Sequence, residues 1–227
     1  MERHFDEELA ELKADILIMG SMVQTAIISS MEALKQLSAE GALSVIHSDE
    51  AIDTMEVKIV TKCVDLLALR QPMAVDLRFI TMAMQMNTDL ERMGDLAVDI
   101  AQRVLELVDQ PLLKPLVDIP QLSVIACEMT RDVISAFLND DAGLAKRVIL
   151  RDSEADVLRN NVQSELINDF MVKDCATIPR ALPLLLVARH LERICDHATN
   201  IAEDIIYMIQ ARMVKHHPEK LNNGNAQ

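Results

Sequence analysis

Apolar residues recur at steps of three and four along most of this chain. Leu9, Leu12, Ile16, Met19, Val23, Ile27, Met31 and Leu34 form one such stripe, which predicts a helix over about residues 5–38. Gly41 marks the expected break. Val45, Ile52, Met55, Ile59, Cys63 and Leu66 carry the same period through a second helix over about 42–70. Gln71-Pro72 ends it, because the residue before a proline avoids the helical region. A third helix is expected over 75–108. Residues 110–120 hold three prolines and read as a linker. Three further helices are expected over 121–139, 142–173 and 180–215, with breaks near 140–143 and 177–179. The tail from 217 reads as disordered. The fold class is all-α, with long helices of ~40–50 Å at 1.5 Å per residue.

The pattern is also duplicated. Leu90-Glu91-Arg92-Met93-Gly94-Asp95 returns 101 positions later as Leu191-Glu192-Arg193-Ile194-Cys195-Asp196. Val45-Ile46, Asp49 and Asp53 return 103 positions later as Val148-Ile149, Asp152 and Asp156. Self-similarity over this length points to two tandem three-helix bundles, residues 1–110 and 121–216, with 111–120 between them and 217–227 as the tail.

Each unit then carries two carboxylate pairs at i, i+4: Asp49/Asp53 with Glu91/Asp95, and Asp152/Asp156 with Glu192/Asp196. Residues so spaced share one helix face. Helices two and three run antiparallel across the turn at Pro72, which lies midway between 51 and 93, the centres of the two pairs. The pairs should therefore stand level. The second unit meets the same condition approximately. Like charges at i, i+4 cost about 0.2–0.5 kcal/mol per pair, and levelled pairs cost more. A hard cation such as Mg²⁺, Ca²⁺, Mn²⁺ or iron would relieve them, and bundle metal sites are built from acids on facing helices. Glu56, Asp99, Asn200 and Glu203 extend the stripes as further candidate ligands. A solvated acidic face partnered by Arg92 and Arg193 is the other reading of the same residues.

Composition narrows the function classes. The net charge is −14, so nucleic acid is a poor partner, and cations or basic protein surfaces are better ones. Half the residues are hydrophobic and only 2% aromatic, with no Trp, a composition that suits helices. The start is not a signal peptide, and the longest uncharged stretch, 16–31, is shorter than a membrane span of ~20 residues. Cys63, Cys127, Cys175 and Cys195 form no C-x-x-C and read as reduced, mostly buried thiols in a cytoplasmic setting. A ferritin-type di-iron site needs Glu-x-x-His on its helices, and the chain has none. His190 and His197 read as packing or hydrogen-bonding groups, and His216-His217 as solvated. Met82, Met84, Met86 and Met93 read as core filler. Phosphate loops, nucleophile elbows and H-E-x-x-H are absent from the sequence, so no enzyme is expected.

Gln71-Pro72-Met73-Ala74-Val75-Asp76-Leu77-Arg78, Asp89-Leu90-Glu91-Arg92-Met93-Gly94-Asp95 and the run from Leu191 to Glu203 closely resemble the PhoU family of bacterial phosphate-transport regulators, over residues 5–216. The resemblance implies two three-helix bundles with multinuclear clusters of iron or zinc on paired E(D)-x-x-x-D motifs. Glu91/Asp95 and Glu192/Asp196 match those motifs most directly, and Asp49/Asp53 and Asp152/Asp156 fit the same pattern. With Asp99 and Asn200 these make ten candidate metal ligands, for Fe, Zn, Mn or Mg. The resemblance also implies a negative regulator of the phosphate-starvation response, linking the ATPase of the phosphate ABC transporter to a sensor histidine kinase. A homodimer is expected from the long amphipathic helices. A carboxylate-cluster metalloenzyme acting on phosphate compounds, or a metal-free helical scaffold, are the alternatives. The family glycine is present as Gly94 but is Cys195 in the second motif, which bears on whether the two sites are equivalent.

Overall fold

The computed structural model describes residues 2–211; the expected disordered tail and His216-His217 lie outside them. Six helices run in order: α1 Glu2–Gln36, α2 Ala39–Arg70, α3 Ala74–Leu107, α4 Asp118–Leu138, α5 Ala142–Glu165 and α6 Ile178–Gln210. There is no strand among the described residues. The all-α, twice-three-helix fold expected from the repeat is therefore the fold observed.

Several boundaries differ, each for a local reason. The break between α1 and α2 is at Leu37 and Ser38, not at Gly41. Leu37 adopts a left-handed conformation, φ 49°, and the Ser38 amide donates back to the Ala33 carbonyl at 3.0 Å, closing the end of α1. Ser38 then caps α2, its hydroxyl accepting from the Gly41 amide at 3.0 Å. Gly41 thus lies inside the first turn. Helix α4 begins at Asp118, so Pro120 falls in its first turn, where a missing N–H costs nothing. Asp141 caps α5, accepting from the Leu144 amide at 2.9 Å. The fifth helix does not run to 173 in α geometry. It widens into a π turn over Leu166–Met171, with the Val172 amide donating to the Ile167 carbonyl.

Each unit is a bundle of three, α1–α2–α3 and α4–α5–α6, but the two share one continuous core. The seam between α3 and α6 is the most extensive helix–helix contact, and α1 also packs on α4. Gly20 permits that second contact: a Cβ there would lie 2.4 Å from Ile134 Cδ1. Helices α2 and α5 flank the four central helices. The core is almost wholly aliphatic, with Met82, Met86 and Met93 buried as filler. Cys63 and Cys195 are buried and Cys127 is half-buried against the core, in line with mostly buried thiols, while Cys175 is exposed. Helix α1 is, by length and composition, apolar enough to cross a membrane, and half of its most apolar window is buried within the protein.

Two polar clamps hold α1 to α2. Arg70 donates to Glu8 through Nε at 2.8 Å and through its terminal nitrogen at 2.7 Å. Asp15, only 5% exposed, accepts from Lys58 and Lys62 at 2.6 Å each. Burial alone would raise the Asp15 pKa, but the two ammonium groups hold it below the usual carboxylate value. Because its folded pKa is depressed, the stability it contributes is present above its unfolded value of about 4 and is lost as pH falls through the folded value. Asp15→Asn should lower unfolding free energy at pH 7 by roughly 1.5–3 kcal/mol in urea titration. The deficit should shrink as pH falls below about 4; a deficit constant with pH would contradict the clamp.

Candidate functional site

The levelled acidic pairs are observed. Helices α2 and α3 place Asp49 against Asp95 and Asp53 against Glu91, and all ten candidate residues lie on helices. Partial burial and then the negative charges of Asp53 and Asp95 raise the Asp49 pKa. Partial burial and the charges of Asp95, Glu56 and Asp53 raise that of Glu91, with Arg92 opposing. Arg92 is exposed and reaches Asp95 at 3.1 Å from the solvent side. This first cluster gathers Asp49, Asp53, Glu56, Glu91 and Asp95.

Asp99 does not join it. Its carboxylate turns across the α3–α6 seam and lies 3.7 Å from His190 Nδ1. A parallel contact joins the Asp89 carboxylate to His197 Nδ1 at 2.7 Å. The two histidines thus pin α3 to α6, and His197 also opposes the rise of the neighbouring Asp196 pKa. Desolvation lowers the His190 pKa despite Asp99.

The second cluster has the same backbone plan and different chemistry. Asp152 is raised by partial burial and by Asp156 and Glu192. Asp196 is pushed up to about 6 by partial desolvation, with Glu192, Asp152 and Asp156 adding to it. Here, however, Arg159 enters. It donates to Glu192 at 3.1 Å and lies 3.6 Å from Asp156. At the repeat offset of 103, Arg159 is the counterpart of Glu56, and at the offset of 101, Asn200 is the counterpart of Asp99. The sequence carries this signal in plain register, in an arginine that lies outside the carboxylate pairs. Asn200 is half-buried on α6 and is not among the groups acting on Asp152 or Asp196.

The glycine-to-cysteine change has a packing explanation. A Cβ on Gly94 would lie 3.1 and 3.3 Å from two Ile52 carbons and 3.7 Å from an Asp49 carboxylate oxygen. The counterpart of Ile52 is Ala155. The first unit pairs a large residue on α2 with none on α3; the second pairs a small one on α5 with a thiol on α6. Cys195 is buried, and burial with Asp152 and Asp196 nearby raises its pKa far above the usual thiol value. It remains a protonated packing group.

A hard cation fits one cluster better than the other. Among the described residues no three His, Cys, Asp or Glu side chains are already gathered as ligands. The first cluster offers only oxygen donors, mutually repelling and answered by one exposed arginine, which suits a hard cation. In the second, the Arg159 guanidinium already supplies the counter-charge, so the donor set does not fit a cation as well.

These features define a class: a duplicated helical-bundle protein with an acidic cluster between the outer and central helix of each unit. The PhoU domain model matches residues 16–104 and 119–205. The phosphate-specific transport system accessory protein PhoU homolog of Aquifex aeolicus is 43% identical over 92% of this chain and 95% of its own length. That of Zymomonas mobilis is 36% identical over 89% and 85%. The crystal structure of PhoU from Pseudomonas aeruginosa superposes with a TM-score of 0.88 at 33% identity, covering 92% of this chain and all of that one. The phosphate transport system regulatory protein PhoU from Streptococcus pneumoniae gives 0.86 at 32% identity, covering 93% and 99%. The chain belongs to the PhoU family.

Two outcomes test the site. Gly94→Cys should destabilise the fold by about 1–3 kcal/mol through overpacking, and adding Ile52→Ala should recover part of that loss; purely additive effects in the double-mutant cycle would refute the compensation. Because the folded pKa of Asp196 is raised to about 6, stability should fall as pH rises from about 4 to 6. Asp196→Asn should therefore melt higher than the parent at pH 8 and equally at pH 4, as read by thermal denaturation in chelator.

Proposed function

We propose that this chain is a non-enzymatic accessory regulator of phosphate transport, a metal-binding adaptor that represses the phosphate-starvation response. It would link the ATPase of the phosphate ABC transporter to the sensor histidine kinase at the cytoplasmic face of the membrane. The observation that carries this reading is the match of both PhoU repeats to this chain, with accessory proteins of phosphate-specific transport aligned over nine-tenths of it. Long helices in one shared core offer rigid surfaces to partners.

Asp49, Asp53, Glu56, Glu91 and Asp95 are the residues that would hold a cation. A bound cation supplies charge neutralisation and a cross-link between α2 and α3. The chain's own contribution is to hold these carboxylates level across the hairpin, at the electrostatic cost that raises Asp49 and Glu91. Binding only to the native arrangement stabilises it by RT ln(1 + [L]/Kd), roughly 2.7 kcal/mol at a hundredfold excess. The metal-free scaffold is favoured by one observation, the ion pairs that Arg92 and Arg159 already make with the acids.

Pull-down with the transporter ATPase and the sensor kinase, with and without phosphate, tests the adaptor; capture of neither would refute it. Elemental analysis of protein loaded with Fe, Zn, Mn or Mg tests the cluster. Asp95→Ala should reduce bound metal to half or less of the parent's, by analogy with the loss of one charged ligand. Unchanged metal content would refute the ligand assignment and favour the scaffold.

A further inference from the structure

The groove between α5 and α6 opens into a cavity of about 500 Å³ lined by Arg159, Gln163, Arg189, Glu192, Arg193 and Asp196, with Leu185 at its wall. Three guanidinium groups around one cavity are unexpected in a chain of net charge −14. Arg159 is paired with Glu192, yet its Nε is buried without a hydrogen-bond partner. Arg189 and Arg193 sit one turn apart on α6. Among the described residues neither has an ion-pair partner within 4.0 Å. With Arg159 and Glu192 offsetting one another, the lining itself is left with two unpaired guanidinium groups against the carboxylate of Asp196, while Asp152 and Asp156 of the same acidic cluster add two negative charges close by.

The duplication supplies an internal comparison. The counterparts of Arg159, Gln163, Arg189 and Arg193 in the first unit are Glu56, Val60, Thr88 and Arg92. Two of the three arginines, and the amide, are therefore particular to the second unit. The same backbone plan carries carboxylates with one exposed arginine on α2–α3, and carboxylates with three arginines on α5–α6. Guanidinium forks match the oxygens of phosphate in paired hydrogen bonds, which a lysine point charge does not do. The cavity volume is ample for a phosphate or for the phosphate end of an ester.

We propose that the α5–α6 cavity is a binding site for a phospho-oxyanion, with Arg189 and Arg193 as its principal ligands and Arg159 as the third. The choice of phosphate among oxyanions rests on the accessory role proposed above; the anion site itself rests on the arginines. Such a site gives the second unit a ligand of its own, separate from any cation between α2 and α3.

The test is isothermal titration of full-length protein in chelator, which keeps metal–phosphate complexes out of the signal. Inorganic phosphate, glycerol 3-phosphate and sulfate are the three probes. Saturable binding of inorganic phosphate, weakened on the order of tenfold or more by Arg189→Thr and by Arg193→Ala, is the expected result. Arg131→Ala, which removes an exposed arginine paired with Asp132 elsewhere on the surface, should bind as the parent does. Arg189 and Arg193 are exposed, so both variants should keep the parent's melting temperature. Binding of glycerol 3-phosphate alone would assign the site to an esterified phosphate. No saturation by either phosphate up to roughly 10 mM, a free energy near −3 kcal/mol, would overturn the proposal, as would equal binding by the arginine variants. Binding of sulfate without phosphate would also overturn it while leaving the accessory role untouched.

Discussion

The seam between α3 and α6 governs the rest of the structure. These two helices carry the duplicated acidic motif and are also the most deeply packed elements of the fold. Each must present apolar residues to the other central helices while turning its carboxylates toward an outer helix. Leu90, Met93, Leu96, Ala97 and Ile100 are buried on α3, and Leu191, Ile194, Ala198 and Ile201 on α6. Glu91, Asp95, Glu192 and Asp196 lie beside these buried stripes, on the sides of α3 and α6 that meet α2 and α5. The Asp89–His197 and Asp99–His190 contacts fix the register of the seam, and they do so partly at the expense of the acidic stripe, since Asp99 is withdrawn to serve the interface.

Within that frame the two units have diverged by compensating exchanges. Ile52 opposite Gly94 corresponds to Ala155 and Cys195, both buried, which shifts side-chain volume from the outer helix to its neighbour. Arg159 stands where the first unit has Glu56, which replaces a negative charge with a positive one beside the second set of acids, and Asn200 stands where the first unit has the seam-facing Asp99. The backbone repeats; the charge balance does not. A single description of both clusters as four-carboxylate sites is therefore accurate for geometry and incomplete for chemistry.

Levelled carboxylates are a cost that packing enforces. Asp49, Glu91, Asp152 and Asp196 all titrate higher than ordinary carboxylates because partial desolvation and neighbouring acids disfavour their charged forms. The protein meets this cost differently in the two halves: by an exposed arginine at the first cluster and by a half-buried one at the second. That difference gives a duplicated scaffold two differently charged clusters while leaving its core shared.

The sequence alone determined the helical class, the duplication, the antiparallel hairpins and the levelling of the acidic pairs. Those follow from spacing along one chain: steps of three and four, prolines at the turns, and a fixed offset between copies. Helix ends were less legible, because the left-handed Leu37 and the Ser38 amide close α1, and the Ser38 hydroxyl caps α2 by accepting from the amide of the more conspicuous Gly41. What only the tertiary structure decided is which neighbour each side chain meets. Asp99 chose His190 on another helix, Arg159 reached across to Glu192, and Cys195 filled the space that Ala155 leaves. Periodicity places a residue on a face, but the helix packed against that face sets its dielectric, its counter-charge and its room.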